Sequence, residues 1–451
     1  MTTERLIVIG GDAAGMSAAS KVRREQPQRD IVVFERSPHT SYSACGMPYY
    51  IAGLIDSPDK LVARSPEKFR EKFNIDVRIR HEVLAIDPTA QRLLVRDLSS
   101  NSETLEAYDQ LLIATGAEAI FPPLAGSDAD GIFSLSTLAS GIKIFEFMDK
   151  ELPRKAVVVG GGYIGLEMAE ALVRQGLQVT LIEKGEQVMG TLDPDMGQLV
   201  SEALREIGVT LYLQESLTGY ETGNGRVTGV VTDQRTIPAD LVIVGLGTRP
   251  NSRLAADAGI MLGEKGAIRV NPRQQSSVPN IWAAGDCAES FHLISRKPFH
   301  VALGTVANKQ GTVAGTNLAG GYATFPGVVG TAVSKICKYE VARTGLTERE
   351  LKTLGLQYTT ATTRTKTRAG YYPGAGWIMV KLLAEQGSGR LLGGQIVGLE
   401  GAAKRIDVLA TALTAGMTVQ QIVDLDLSYA PPFSPVWDPV QTTARQLVGK
   451  E

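Results

Sequence analysis

Two segments about 150 residues apart carry the same pattern, and that repetition constrains the fold more than any other feature of the chain. The first reads LIVIGGDAAGMSAASKVRR and then IVVFERS. The second reads KAVVVGGGYIGLEMAEALVRQG and then QVTLIEKGE. Each is an apolar strand, a glycine turn, a helix with small residues on one side, and a second strand that ends in an acid. That order is a βαβ unit with a right-handed crossover. Two such units predict two dinucleotide-binding domains, each built on a parallel sheet.

In the second unit the fingerprint is complete: Gly160, Gly162 and Gly165. The first glycine allows the tight turn, the second lets a pyrophosphate approach the backbone, and the third lets the helix pack close to the strand. The positive end of the helix faces the phosphates. Glu183, 18 residues after Gly165, stands where an acid accepts hydrogen bonds from a ribose 2′-hydroxyl and repels a 2′-phosphate, which favours NADH over NADPH. In the first unit Gly10 and Gly15 are present, but Asp12 replaces the middle glycine, and a carboxylate beside a pyrophosphate is electrostatically unfavourable. Glu35, 20 residues after Gly15, fits an adenosine ribose contact. Two dinucleotides in one chain imply a hydride donor and an acceptor, and a flavin is the natural acceptor.

Several function classes are disfavoured by composition. Lys and Arg number 46 against 48 Asp and Glu, a formal net charge of −2, without the basic excess of a nucleic-acid-binding protein. No apolar run is long enough to span a membrane. The start, MTTERLIVIGGDAAG, reads as a buried strand and not as a leader, so a cytoplasmic protein is expected. Three cysteines, Cys45, Cys287 and Cys337, make no disulfide framework, and no metal site is expected.

Of the three, Cys45 draws the chemistry. It lies in SYSACGMPYYIAG, where a helix start would favour its thiolate, and no cysteine stands nearby to make a dithiol. It therefore takes its redox partner from solution. Cys287, in WAAGDCAE, and Cys337, in SKICKYE, read as packing residues. The four histidines, His39, His81, His292 and His300, read as surface or core residues, with His81 and His300 packing near a flavin. The tail from Val328 alternates in GWIMVKLLAE and GRLLGGQIVG and then turns helical, which predicts an antiparallel sheet flanked by helices.

SYSACGMPYY, YDQLLIATGA, GGGYIGLEMAE, GLGTRPN, IWAAGDCAE, ALGTVANKQG, GYYPG and SYAPPFSPVWDP together carry a resemblance that runs the length of the chain. The sequence resembles the FAD-dependent pyridine nucleotide–disulfide oxidoreductases, in particular the single-cysteine branch of coenzyme A disulfide reductases and the related NADH oxidases and persulfide reductases. The resemblance implies an α/β fold with two Rossmann-like domains, for FAD (1–117 and 246–325) and NAD(P)H (118–245), and a C-terminal α+β dimerisation domain (326–451). It places FAD on Gly10, Gly11, Ala13, Ala14, Gly15, Glu35, Arg36, Ser43, Val83, Thr115, Gly116, Asp286, Gly304 and Thr305. NADH, or alternatively NADPH, would lie on Gly160, Gly162, Tyr163, Ile164, Gly165, Glu167, Glu183 and Gly245.

Cys45 is the implied catalytic sulfur. Tyr371 and Tyr429 of a homodimer partner would steady or protonate the leaving thiol, in place of the C-terminal His–Glu pair of dithiol members. The substrate is a small-molecule disulfide or coenzyme A-type thiol, expected at Lys21, Arg24, Ser41 and Asn308, with Lys21 and Arg24 sharing a helix face. Ala44, Phe73 and Trp437 stand where coenzyme A reductases carry an Asn and two Lys, which weakens the assignment to that thiol. The peroxidases and oxidases carry a His in the first glycine turn; Gly10–Gly15 has none, which disfavours peroxide chemistry. The expected activity is reduction of a low-molecular-weight disulfide through Cys45. The alternatives are an NADH oxidase, a persulfide or polysulfide reductase, and a non-catalytic redox sensor.

Overall fold

Residues 4–450 are described here by a computed structural model. Its framework is three five-stranded sheets. In the first, Arg5–Ile9 pairs in parallel with Asp30–Glu35 on one side and Gln110–Ile113 on the other, and Asp76–Ile79 and Ile281–Ala283 form the edges. A strand from far along the chain thus completes the first nucleotide-binding sheet. Leu6, Ile7, Val8, Val32, Val33, Leu111 and Leu112 are almost wholly buried, as expected for a parallel sheet covered on both faces. The second sheet repeats the design with Lys155–Val159 at its centre, flanked by Gln178–Glu183 and Leu241–Val244, all parallel. The third is antiparallel and runs from Ala332–Ile336 to Tyr358–Lys366, with Ile406–Ala415 against it. The predicted α/β framework and antiparallel tail are both present.

Glycines act where elements meet. Gly10 leaves its strand at φ +108°, and a Cβ there would lie 2.1 Å from the Ala114 carbonyl oxygen. A Cβ at Gly15 would lie 2.0 Å from the Gly10 oxygen, so the helix Ala13–Glu25 reaches its strand only because that position is bare. Helix Gly304–Leu318 packs on Ala13–Glu25 in the same way, with Gly311 and Gly315 against Ala14 and Ala18. This helix pair fixes the floor beneath the first glycine turn.

The C-terminal sheet is locked to the second nucleotide unit by a buried ionic cluster. Lys381, only 4% exposed in its side chain, lies 3.2 Å from Asp193, 2.8 Å from Asp195 and 2.6 Å from Glu348. The Gln395 amide donates to Asp193 Oδ2 and its oxygen accepts the Asp193 N–H. No helix among the described residues is long and apolar enough to cross a membrane.

Candidate active site

Both glycine turns are closed by the acid at the end of the following strand. The Gly11 N–H donates to Glu35 Oε2 and the Ser37 N–H to Oε1, each at 2.8 Å. In the second unit the Gly161 and Gly185 N–H groups donate to Glu183 Oε2 and Oε1, each at 2.7 Å. Each carboxylate is therefore held at the lip of its turn, poised toward whatever the turn cradles. Gly162 begins helix Tyr163–Arg174 with nothing within 4 Å of a virtual Cβ, so phosphate-sized groups can reach the backbone there. Gly160, at φ +102°, and Gly165 make the close contacts with Gly245 and with each other that the fingerprint requires.

Of the other residues expected at FAD, Thr115 and Asp286 lie against the first turn. Thr115 Oγ1 donates to the Asn251 carbonyl and the Asn251 amide donates back to the Thr115 carbonyl, holding Thr115–Gly116 in place beside Gly10. Asp286 has a buried Oδ1 with no hydrogen-bond partner, and burial raises its carboxyl above the ordinary range. A buried, unpaired carboxylate oxygen is costly unless a ligand hydroxyl satisfies it. That orphan oxygen, the bare Gly10–Gly15 cradle and the helix N-terminus above it fit a flavin dinucleotide. His300 Nε2 meets the Asp286 carbonyl at 2.8 Å, so one of the two histidines expected near a flavin lies at this wall. His81 stacks on Phe34, with Val83 packed into the same core. Ala14 is buried, Ala13 is half-buried, and Gly304 and Thr305 are exposed at the start of their helix. Arg36 is mostly exposed and lies 3.9 Å from Glu82.

The Cys45 loop is laced to the first turn. The Ser41 N–H donates to the Gly11 carbonyl and the Tyr42 N–H to Asp12 Oδ1 at 3.1 Å, while the Ser43 N–H reaches Leu61. Ser41 holds a left-handed conformation at φ +46°, a strain that these bonds sustain. Cys45 follows in the short turn Ala44–Gly46, just before helix Met47–Ile51, and is exposed.

The electrostatics there differ from the expectation of a favoured thiolate. Although Cys45 is exposed as a residue, partial desolvation of its thiol by the surrounding loop and helices, then the Glu167 and Asp286 carboxylates, push the thiol up, and its own backbone N–H only partly offsets them. A single three-residue turn and a five-residue helix give too small a dipole to outweigh two acids. Glu167 lies on helix Tyr163–Arg174, where Ser334 Oγ donates to its Oε1 at 2.9 Å; burial and Glu170 raise its own carboxyl. Tyr163 and Ile164 begin the same helix and are half-buried.

Cys287 is wholly buried, with its sulfur near the Ile113 and Ala284 carbonyls. Cys337 sits in a hairpin at φ +58°, its N–H donates to Glu170, and burial with that acid pushes its thiol up to about 12. Neither is poised to react.

Of the expected substrate residues, Lys21 and Asn308 lie on the packed helices Ala13–Glu25 and Gly304–Leu318, and Ser41 is bonded to the first glycine turn. Lys21 pairs with Glu25 at 2.7 Å, the ordinary i, i+4 partner on a solvated helix, while Arg24 is exposed. Asn308 accepts from Ser17 and donates to the Gly304 carbonyl, which ties the two packed helices together. Tyr371, 77% exposed, and Tyr429, 47% exposed, are brought side by side, and the Tyr429 hydroxyl raises the Tyr371 phenol. Phe433, Val436 and Trp437 are exposed along the same stretch. Sequence reasoning missed Glu170, one helical turn after Glu167 in GGGYIGLEMAE, and Ser334, which comes from a distant segment with no motif. Burial, above all, pushes the Asp12 carboxyl up to about 7.

The family description "Pyridine nucleotide-disulphide oxidoreductase" matches residues 4–311, and its dimerisation domain matches residues 331–439. The NAD(P)H coenzyme A polysulfide/persulfide reductase of Pyrococcus horikoshii is 42% identical over 445 residues, covering 98% of both chains. The coenzyme A disulfide reductase of Staphylococcus haemolyticus is 32% identical, covering 95% of this chain and 96% of that one. Among solved structures, the NAD-dependent persulfide reductase of A. fulgidus superposes with a TM-score of 0.96 at 42% identity, covering 99% of this chain and 83% of that one. The chain belongs to the pyridine nucleotide–disulphide oxidoreductases, FAD-dependent enzymes that take their electrons from NAD(P)H.

Proposed function

We propose that this enzyme reduces a low-molecular-weight disulfide or persulfide of the coenzyme A type at Cys45, acting as a homodimer. The observation that carries the reading is the isolation of Cys45: an exposed sulfur, laced to the first glycine turn, while the other two cysteines are inert by burial or by a raised thiol. Such a sulfur has to find its redox partner in solution. The relatives named for coenzyme A disulfide and persulfide reduction support that substrate class.

FAD supplies hydride acceptance from NAD(P)H and delivery of the electron pair to sulfur. The residues of the chain do the rest. Gly10–Gly15, Glu35, Thr115–Gly116 and Asp286 hold the flavin dinucleotide; Gly160–Gly165, Glu167, Glu183 and Gly245 hold the nicotinamide one. Cys45 thiolate attacks one sulfur of the substrate, RSSR; the S–S bond breaks, one RS⁻ leaves and takes a proton, and Cys45 carries the mixed disulfide. An incoming electron pair cleaves that bond, restoring the thiolate and releasing the second RS⁻. Tyr371 and Tyr429 of the partner subunit supply the proton. An unperturbed phenol of pKa about 10 passes a proton to a thiolate of pKa about 8.5 at a cost of about 2 kcal/mol, and the bond with Tyr429 that raises the Tyr371 phenol makes transfer from that residue costlier.

The test is an anaerobic assay with NADH and coenzyme A disulfide, following thiol release. Two thiols for each NADH consumed support the reading. NADH consumption that proceeds only with oxygen, without thiol release, refutes it in favour of an oxidase.

A further inference from the structure

Asp12 holds the place that the dinucleotide fingerprint gives to glycine, directly in the turn that cradles a pyrophosphate. It is the N-cap residue of helix Ala13–Glu25, yet its side chain makes no capping bond to that helix. An Asp in this position ordinarily binds the free N–H groups of the first turn and is stabilised as an anion by them. Here Oδ1 accepts from the Tyr42 N–H in the Cys45 loop, and of the helix's own donors only the Ala13 N–H acts on the carboxyl. The groups that face it are of the wrong sign for a carboxylate. Glu35 approaches from strand Asp30–Glu35 and Asp286 from the turn after Ile281–Ala283, with His300 behind Asp286. From the loop comes Tyr42, whose phenol is itself raised by burial, Asp12 and Glu35, with Arg36 a minor opposing charge. Three carboxyls therefore converge on a site that has to accept a dianionic pyrophosphate.

We propose that Asp12 is a proton switch for cofactor retention: FAD is held with Asp12 as a neutral carboxyl, and its phosphates enter the turn with the uptake of one proton from solvent. This rests on the reading that FAD occupies Gly10–Gly15. Burial already brings the Asp12 carboxyl to about 7, so added negative charge drives it further toward the protonated form. A neutral carboxyl can keep Oδ1 as acceptor for Tyr42 while its hydroxyl donates, so the substitution for glycine becomes compatible with phosphate. The sign of the linkage follows. The complex binds more protons than the free site, so FAD affinity is constant at low pH and falls as pH rises above about 7.

The experiment uses purified holoenzyme, diluted across about pH 6 to pH 9, with released FAD read by its fluorescence. The dissociation constant is expected to be flat below about pH 7 and to rise toward tenfold per pH unit above it. Asp12→Asn is expected to abolish the rise and retain FAD at alkaline pH. Asp12→Gly, which restores the fingerprint residue, gives the same flat profile if the Asn variant folds poorly. A flat wild-type profile, or a rise that persists in the variants, overturns the proposal. Protein purified without FAD at any pH would overturn the cofactor reading instead.

Discussion

Glu183 and Glu35 are structural counterparts: each closes its own glycine turn through the N–H of the residue after the first glycine, at 2.7 Å and 2.8 Å. Held by two N–H donors each, these carboxylates keep a fixed place beside the ribose position of their turns. Glu183→Ala is expected to weaken NADH by about tenfold in kcat/KM, the worth of one charge-assisted hydrogen bond, and to narrow its preference over NADPH. Steady-state kinetics with both cofactors check this, and wild-type enzyme that uses both equally would show that Glu183 does not discriminate.

The acid nearest Cys45 in effect is Glu167, which raises the thiol after burial does. Removing that charge in Glu167→Gln stabilises the thiolate, so the pH profile of Cys45 alkylation is expected to move to lower pH. An unchanged profile would mean that Glu167 does not act on the sulfur.

Tyr371 and Tyr429 lie together at an exposed edge. If they protonate the leaving thiol across a dimer, Phe at both positions is expected to slow disulfide reduction by roughly 10²-fold. NADH oxidation by an artificial electron acceptor, which needs no thiol release, is expected to stay near wild type.

Lys381 is the cation shared by Asp193, Asp195 and Glu348, while Lys352 lies 3.9 Å from Glu348, so Lys381→Met takes from the buried Asp193 the ammonium that pairs with it. The expected loss is about 3–5 kcal/mol of stability, read from denaturant midpoints. A midpoint unchanged from wild type would show that the acids find other partners.

What was legible in the sequence is local. Gly10, Gly15, Glu35, Gly160, Gly165 and Glu183 declare themselves because a turn, a crossover helix and a strand impose fixed spacings, and the pattern occurs twice. The alternation after Trp377 announced the antiparallel sheet for the same reason. The raised thiol of Cys45 was not legible: burial, then Glu167 and Asp286 from other segments, push it up, whereas the local sequence offers only a helix start. The raised carboxyl of Asp12 was not legible either: it comes from burial and from Glu35 and Asp286, against the opposing Tyr42 N–H, and the turn itself reveals none of these. The pairing of Lys21 with Glu25, four residues on, is the kind of local helical contact that spacing alone reveals. The Lys381 cluster gathers acids from two stretches of chain around a lysine from a third and leaves no trace in any one of them.

Cys45→Ser is expected to keep FAD and lose disulfide reduction, but the sulfur's redox mate can be read directly. The measurement is the mass of the Cys45 peptide from air-oxidised enzyme, before and after NADH. A small-thiol adduct on Cys45 that NADH removes is the predicted result. An oxidised, active enzyme whose Cys45 is unmodified, or is bonded to Cys287 or Cys337, would contradict the account.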